Sequence, residues 1–279
     1  MKKILILIGV VFCLIILAVF IIGRRGYGQF MKTETIVFDK NLSIVLGGGG
    51  NSIVLTSDDG TQALVVDTKM DVAAKALAAS VKVKDVTIVN THFHRDHVGG
   101  NNLYPKATII SGAYTPEQWK AMAPSSRYPD KVIKPDEEMA LNIAGETVHL
   151  RNMGRAHTWN DVVVYLENRK FLMTGDVVFN HRHPAMFAHG GSNVASWVDV
   201  LDSLMSRFEP VKVLPGHGVL SDKNALRDAK EYLVSIEAAI GNPEQIAAVK
   251  EKYKTYPGIP MIADFDRTVK FMENERGIK

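Results

Sequence analysis

The residues with most chemistry to offer lie between Thr91 and Gly100, where His92, His94, Asp96 and His97 stand in the spacing H-x-H-x-D-H. Three imidazoles and a carboxylate within six residues are four metal-ligating groups of nitrogen and oxygen character. With His and Asp at this chain's frequencies, such a pattern arises by chance in fewer than about one chain in a thousand of this length. Where H-E-x-x-H uses one face of a helix, this string reads as a loop leaving a strand, because residues 86–89 are a β-branched run ending at Asn90 and Thr91. One metal cannot easily use four ligands from so short a stretch, whereas two metals can.

Three later positions supply what is missing: His157 in Gly154-Arg155-Ala156-His157-Thr158, Asp176 in Thr174-Gly175-Asp176, and His217 in Pro215-Gly216-His217-Gly218. Each is expected at the end of a strand. With these in place the chain resembles the metallo-β-lactamase superfamily, whose five ordered motifs match Asp67, the H-x-H-x-D-H run, His157, Asp176 and His217, over about residues 35–222. The resemblance implies an αββα four-layer sandwich. It also implies that His92, His94 and His157 hold a first metal, that Asp96, His97 and His217 hold a second, and that Asp176 bridges the two. Asp67 matches the family carboxylate that orients the histidine loop without ligating, a partner that metal-bound imidazoles generally need.

This donor set suits two Zn2+, and Fe, Mn or Co would also be accepted. His94 stands where flavodiiron proteins carry Glu, which argues against that di-iron branch. Asp176 stands where the best-known class B β-lactamases carry Cys or a differently placed ligand, which points toward the hydroxyacylglutathione-hydrolase and lactonase side. Two cations sharing a water lower its pKa toward neutrality and so provide a hydroxide to attack a carbonyl or phosphoryl centre. Asp96 and Asp176 are thus catalytic as ligands, not as half of an acid/base pair. The expected activity is hydrolysis of a small ester, thioester, lactone or lactam. The alternatives are a single-iron persulfide dioxygenase-like oxidoreductase of the same fold, disfavoured by the complete second ligand set, and a phosphodiesterase.

Asn160, three residues after His157, and His183, in the polar stretch after Asp176, are candidate substrate contacts. Residues 47–50 are four glycines, but no P-loop Lys and Ser/Thr follow, so they read as a mobile hairpin turn.

The elements that must position these groups follow from periodicity. Short apolar runs at 43–46, 52–56 and 63–66, separated by Gly- and Asp-rich turns, predict a strand meander. Further strands are expected at 107–110, 146–150, 162–166 and 171–173, and helices at 71–81, 116–123, 195–207, 224–240, 243–254 and 264–276.

Ahead of all this, residues 4–22 form nineteen consecutive positions without a charge, long enough as a helix to cross about 30 Å of hydrocarbon. No small-x-small cleavage site follows, so residues 1–30 read as an uncleaved signal anchor and single transmembrane helix. Residues 31–279 read as the hydrolase domain, helical from 224 onward. Lys2 and Lys3 balance Arg24 and Arg25 across the span, and an extracytoplasmic domain is expected from the usual behaviour of such anchors. Taking these four from the net charge of +3 leaves −1, so the domain has no basic footprint for nucleic acid. The single cysteine, Cys13, lies in the apolar run, leaving the domain no disulfide and no thiolate ligand. The expected partners are a small-molecule substrate and the membrane, and nothing in the pattern points to an oligomeric state.

Overall fold

The computed structural model describes residues 27–29 and 31–278. The predicted anchor at 4–22 lies outside them, and among the described residues no helix is long and apolar enough to cross a membrane.

The first sheet runs in chain order through β1 (Thr33–Val37), β2 (Leu42–Gly47), β3 (Ser52–Thr56), β4 (Gln62–Val66), β5 (Asp85–Val89), β6 (Thr108–Gly112) and β7 (Lys131–Ile133). Its first four strands are the antiparallel meander, and β4 to β7 are parallel. Helix α1 (Asp71–Ser80) crosses from β4 to β5; the short α2 (Arg95–Val98) follows β5, and α3 (Pro116–Met122) joins β6 to β7. The second sheet is β8 (Glu138–Ile143), β9 (Glu146–Asn152), β10 (Val162–Leu166), β11 (Phe171–Phe179) and β12 (Lys212–His217), in the order β12-β11-β10-β9-β8. Only β11 and β12 pair in parallel there, connected through α4 (Val194–Arg207). Three helices close the chain: α5 (Asn224–Ala239), α6 (Pro243–Lys252) and α7 (Phe265–Glu275).

Strand side chains alternate between faces, so an unbroken apolar run fits only a strand covered on both sides. That is what β4 to β6 show. Leu64, Val66, Val89 and Ile110 enter the core between the sheets, against Leu150, Val164, Met173 and Leu214. Their neighbours Val65, Ile88 and Ile109 pack beneath Leu77 of α1. On the far side, Val163, Leu172 and Val213 meet Trp197, Leu201 and Leu204 of α4 and Leu233 and Ile236 of α5. Each such fully buried aliphatic side chain is worth roughly 1.5–3 kcal/mol against exposure. The layers are therefore helix, sheet, sheet, helix, as expected.

The helices predicted between residues 71 and 276 all form, with ends within two residues. The structure adds strands β1, β7 and β8, and β12 ends at His217 as expected. β1, sequence TETIV, is mostly exposed and pairs only with β2, so it is an edge strand without the apolar signal that marks a buried one. β11 runs past its predicted end at Met173 to Phe179, with register breaks on either side of Gly175. Asp176 thus sits in an irregular stretch within the strand, not at its end; a bulge there re-aims its side chain.

The groups of interest gather where chains leave the sheets. Asp67 follows β4, Thr91 to His97 follow β5, His157 lies in the β9–β10 connection, and His217 closes β12. Carboxyl ends of parallel strands are the usual site position in open α/β sheets.

Candidate metal centre

Asp67, fully buried with φ of 58°, follows directly on β4. Its carboxylate accepts the Thr91 N–H at 2.8 Å, the Thr91 hydroxyl at 2.7 Å and His97 Nδ1–H at 2.7 Å. Because the Thr91 hydroxyl spends its proton on Asp67, it accepts from His92 Nδ1 at 3.1 Å. One carboxylate therefore fixes Nδ1 as the protonated nitrogen of two imidazoles. The Nε2 atoms of both His92 and His97 are buried and have no hydrogen-bond partner among the described residues. A buried ring nitrogen left without a partner is costly, and a cation is its natural partner.

The other ligand-type groups converge on these two nitrogens. Around His92, Asp176 Oδ2 stands 3.7 Å from its Nε2 and 3.3 Å from His157 Nε2, and His157 Nε2 is 2.9 Å from His94 Nδ1. Around His97, Asp96 Oδ2 stands 3.6 Å from its Nε2 and 3.2 Å from His217 Nε2. Donor atoms within each set, His92, His94, His157 and Asp176 in one and Asp96, His97 and His217 in the other, lie within 4.8 Å of one another. Tetrahedral bonds of about 2.0–2.2 Å place donors about 3.3–3.6 Å apart, so the spacing fits an ion in each set. Asp176 also reaches the second set, with Oδ1 at 3.2 Å from His97 Nε2 and Oδ2 at 3.5 Å from His217 Nε2. Gly216 makes this possible, since a Cβ there would collide with Asp176 Oδ1.

The two sets differ in charge. Burial drives the first-set imidazoles below the ordinary histidine value, His94 to about 4 and His157 to about 3. Burial also opposes protonation of His97 and His217, but there the neighbouring Asp176 and Asp96 carboxylates prevail, raising His97 and bringing His217 to about 9. The same attraction overrides the burial of Asp96 and Asp176 and holds both carboxyls well below the usual range. Burial pushes the Asp67 carboxyl up, with His97 and Thr91 offsetting part of it.

His157 is held by its own loop. Asp161 accepts both the N–H and the hydroxyl of Thr158 at 2.8 Å, and burial raises that carboxyl to about 7. Asn160 belongs to the same scaffold: its Oδ1 accepts from Asn152 at 3.0 Å, its Nδ2 reaches Ala113 O at 3.4 Å, and its carbonyl accepts from the Tyr114 hydroxyl. His183 is paired through Nδ1 with the Tyr232 hydroxyl at 2.7 Å and packs near Tyr256 and Phe265 of the C-terminal part. Both candidate substrate contacts are thus engaged in hydrogen bonds within the fold.

Other residues emerge only in three dimensions. Asn51 donates to Pro215 O at 2.9 Å and to Gly218 O at 2.8 Å, tying the β2–β3 hairpin to the His217 loop. A groove of about 530 Å³ opens beside His217, lined by Lys32, Glu34, Gly49, Asn51 and Arg182 among others. Arg182 has no carboxylate partner among the described residues, and its partial burial lowers its pKa. Lys69 is fully buried beside the glycine turn.

The family model of the metallo-β-lactamase superfamily matches residues 45–217. A metallo-beta-lactamase type 2 of Bacteroides fragilis is 22% identical over 178 residues, covering 62% of this chain and 71% of that one. A probable metallo-hydrolase of Methanocaldococcus jannaschii is 23% identical over 228 residues, 76% of this chain and 100% of its own. Among solved structures, a metallo-beta-lactamase from Pontibacter korlensis superposes with a TM-score of 0.62 at 21% identity, covering 73% of this chain and 99% of that one. The DIM-1 metallo-beta-lactamase gives 0.62 at 21% identity, covering 73% and 97%. At such identities the structural likeness is one of fold.

Proposed function

The chain belongs to the metallo-β-lactamase superfamily, and we propose that it is a hydrolase with two Zn2+ bound between its sheets, acting on a small ester, thioester, lactone or lactam. The observation that carries this reading is the position of Asp176, within 3.2–3.7 Å of ring nitrogens of His92, His97, His157 and His217, so that one carboxylate serves both donor sets. What a pair of divalent cations supplies there is a lower pKa for the water they share and a Lewis acid for the developing oxyanion.

The protein's own contribution is orientation. Asp67 and Thr91 keep the Nε2 faces of His92 and His97 turned inward, and Asn51 holds the His217 loop against the β2–β3 hairpin. Arg182, a guanidinium on the groove wall with no carboxylate partner among the described residues, is placed to receive an anionic group of the substrate. The intact Asp96, His97 and His217 set supports this reading over a single-iron oxidoreductase of the same fold, and the near-neutral domain disfavours a nucleic-acid phosphodiesterase. The apolar run at 4–22 supports an anchor that tethers the domain to a membrane, on its extracytoplasmic side.

The test is metal analysis of the purified protein together with a panel of thioester, lactone, nitrocefin-type lactam and phosphodiester substrates. Two zinc ions per chain with turnover of an acyl substrate is the expected result. One iron per chain with oxygen consumption would replace this reading by the oxidoreductase.

A further inference from the structure

Lys69 has no solvent exposure, yet no carboxylate pairs with it among the described residues. Its ammonium donates instead to three main-chain carbonyls: Gly47 O at 2.6 Å, Gly50 O at 2.7 Å and Val45 O at 2.9 Å. That exhausts its three N–H groups. Burying a cation this way is costly, and burial draws its pKa down to about 7, so filling space does not account for a lysine here. Its backbone is unusual too. Asp67, Lys69 and Asp71 have φ of 58°, 61° and 51°, three left-handed non-glycine residues within five positions. Such conformations persist only where the surroundings over-determine them.

All three carbonyls belong to one hairpin, the end of β2 and the glycine turn after it, and that turn rests on the second donor set. A Cβ on Gly50 would lie 2.3–2.7 Å from three atoms of the His97 ring, too close to fit, and one on Gly49 would lie 2.6 Å from Asp96 Cβ. The Gly50 N–H points to the Asp96 carbonyl at 3.4 Å. The turn's outer side, Gly47 and Gly49, lines the groove beside His217. The stretch that reads as a mobile flap in the sequence is therefore tied down from beneath.

We propose that Lys69 is a positioning residue for the second metal site: by gripping the carbonyls of Val45, Gly47 and Gly50, it presses the glycine turn onto Asp96 and His97 and fixes both ligands and one groove wall. The proposal rests on the dinuclear reading above. Among the described residues, Gly47 to Gly50 make no hydrogen bond to His92, His94 or His157, so the effect falls first on Asp96 and His97.

The experiment titrates Zn2+ against a chromophoric chelator in the full-length wild type and two variants. One is Lys69→Met, which keeps the length and loses the donors. The other inserts two glycines between Gly48 and Gly49, which slackens the turn and leaves Lys69 untouched. In both, the second equivalent of zinc should weaken about 10- to 100-fold, the range for groups that orient ligands, while the first stays within about twofold of wild type. Amide hydrogen exchange in residues 45–51 should rise in parallel. A second equivalent as tight as wild type in the insertion variant overturns the proposal, as does equal weakening of both equivalents, which would mark Lys69 as a general stabiliser. If Lys69→Met does not fold, the insertion variant decides alone. A wild type that binds only one equivalent defeats the dinuclear reading itself, and this proposal with it.

Discussion

Lowering the pH should empty one metal site well before the other. At neutral pH the first-set histidines are already neutral, since burial holds His94 at about 4 and His157 at about 3 and keeps His92 low as well. A cation entering there displaces no proton. In the second set, burial is outweighed by the Asp176 and Asp96 carboxylates, so His97 and His217 enter the metal-free state protonated, His217 up to about 9. A cation entering that set must expel one proton from each. Every displaced proton makes log K rise by one per pH unit, or about 1.4 kcal/mol, so two protons make the second site lose up to roughly 10⁴-fold in affinity from pH 8 to pH 6. The first site should hold steady down to about pH 4. Calorimetric zinc titrations in buffers of different ionisation enthalpy count the protons: near zero with the first equivalent and near two with the second at pH 7. Equal proton release from both equivalents would refute the charge assignment. The same shift has a stability sign. His217, raised above its ordinary 6.5, stabilises the metal-free fold fully below that pH and loses this contribution as pH rises through about 9. The melting temperature of the metal-free protein should therefore fall between pH 7 and 9, and that of the zinc-loaded protein should not follow it.

Asp67→Asn, which removes the charge shared by Thr91 and His97, should weaken zinc binding about 10- to 100-fold in the same chelator competition; an unchanged affinity would deny Asp67 its orienting role. Leu64→Ala, fully buried between the sheets, should cost about 2–5 kcal/mol in urea denaturation and leave zinc stoichiometry at the wild-type value. Arg182→Gln should raise KM about 10- to 100-fold for substrates bearing a carboxylate, the loss of one charge-assisted contact, and leave neutral analogues near wild type; an equal effect on both would exclude anion recognition. Exhaustive chelation should abolish turnover, and activity that survives it would remove the metal from the mechanism altogether.

The two donor sets were legible because a metal-ligating group is a side-chain type, and two types in a fixed order identify it. His92, His94, Asp96 and His97 sit within six residues, and the same side chains that spell the motif form the two donor sets. The helices were legible for a related reason, since α4 and α5 carry their buried residues at helical spacing within a single segment. Strands depend on partners elsewhere in the chain. β1 offers only Thr33, Glu34, Thr35, Ile36 and Val37, and it is a strand because β2 supplies its register. β8, sequence EMALNI, forms against β9 in the same way.

The same distinction separates ligands from the groups that hold them. Lys69 binds main-chain carbonyls, which every residue has, so no pattern around residues 45–50 announces that a cation will arrive there from position 69. Asn160 shows the converse. Three residues from His157, it was expected to face substrate, but the His157 loop is itself held by internal bonds, and Asn160 supplies some of them to Asn152 and Ala113. A short loop that must fix an imidazole within a fraction of an ångström spends its polar side chains on its own backbone and neighbours. A groove residue without a carboxylate partner among the described residues is instead Arg182, six residues beyond Asp176 and outside the ligand motifs. Variation in substrate among chains with this donor set is therefore expected at positions such as Arg182, and variation in metal occupancy at positions such as Asp67 and Lys69.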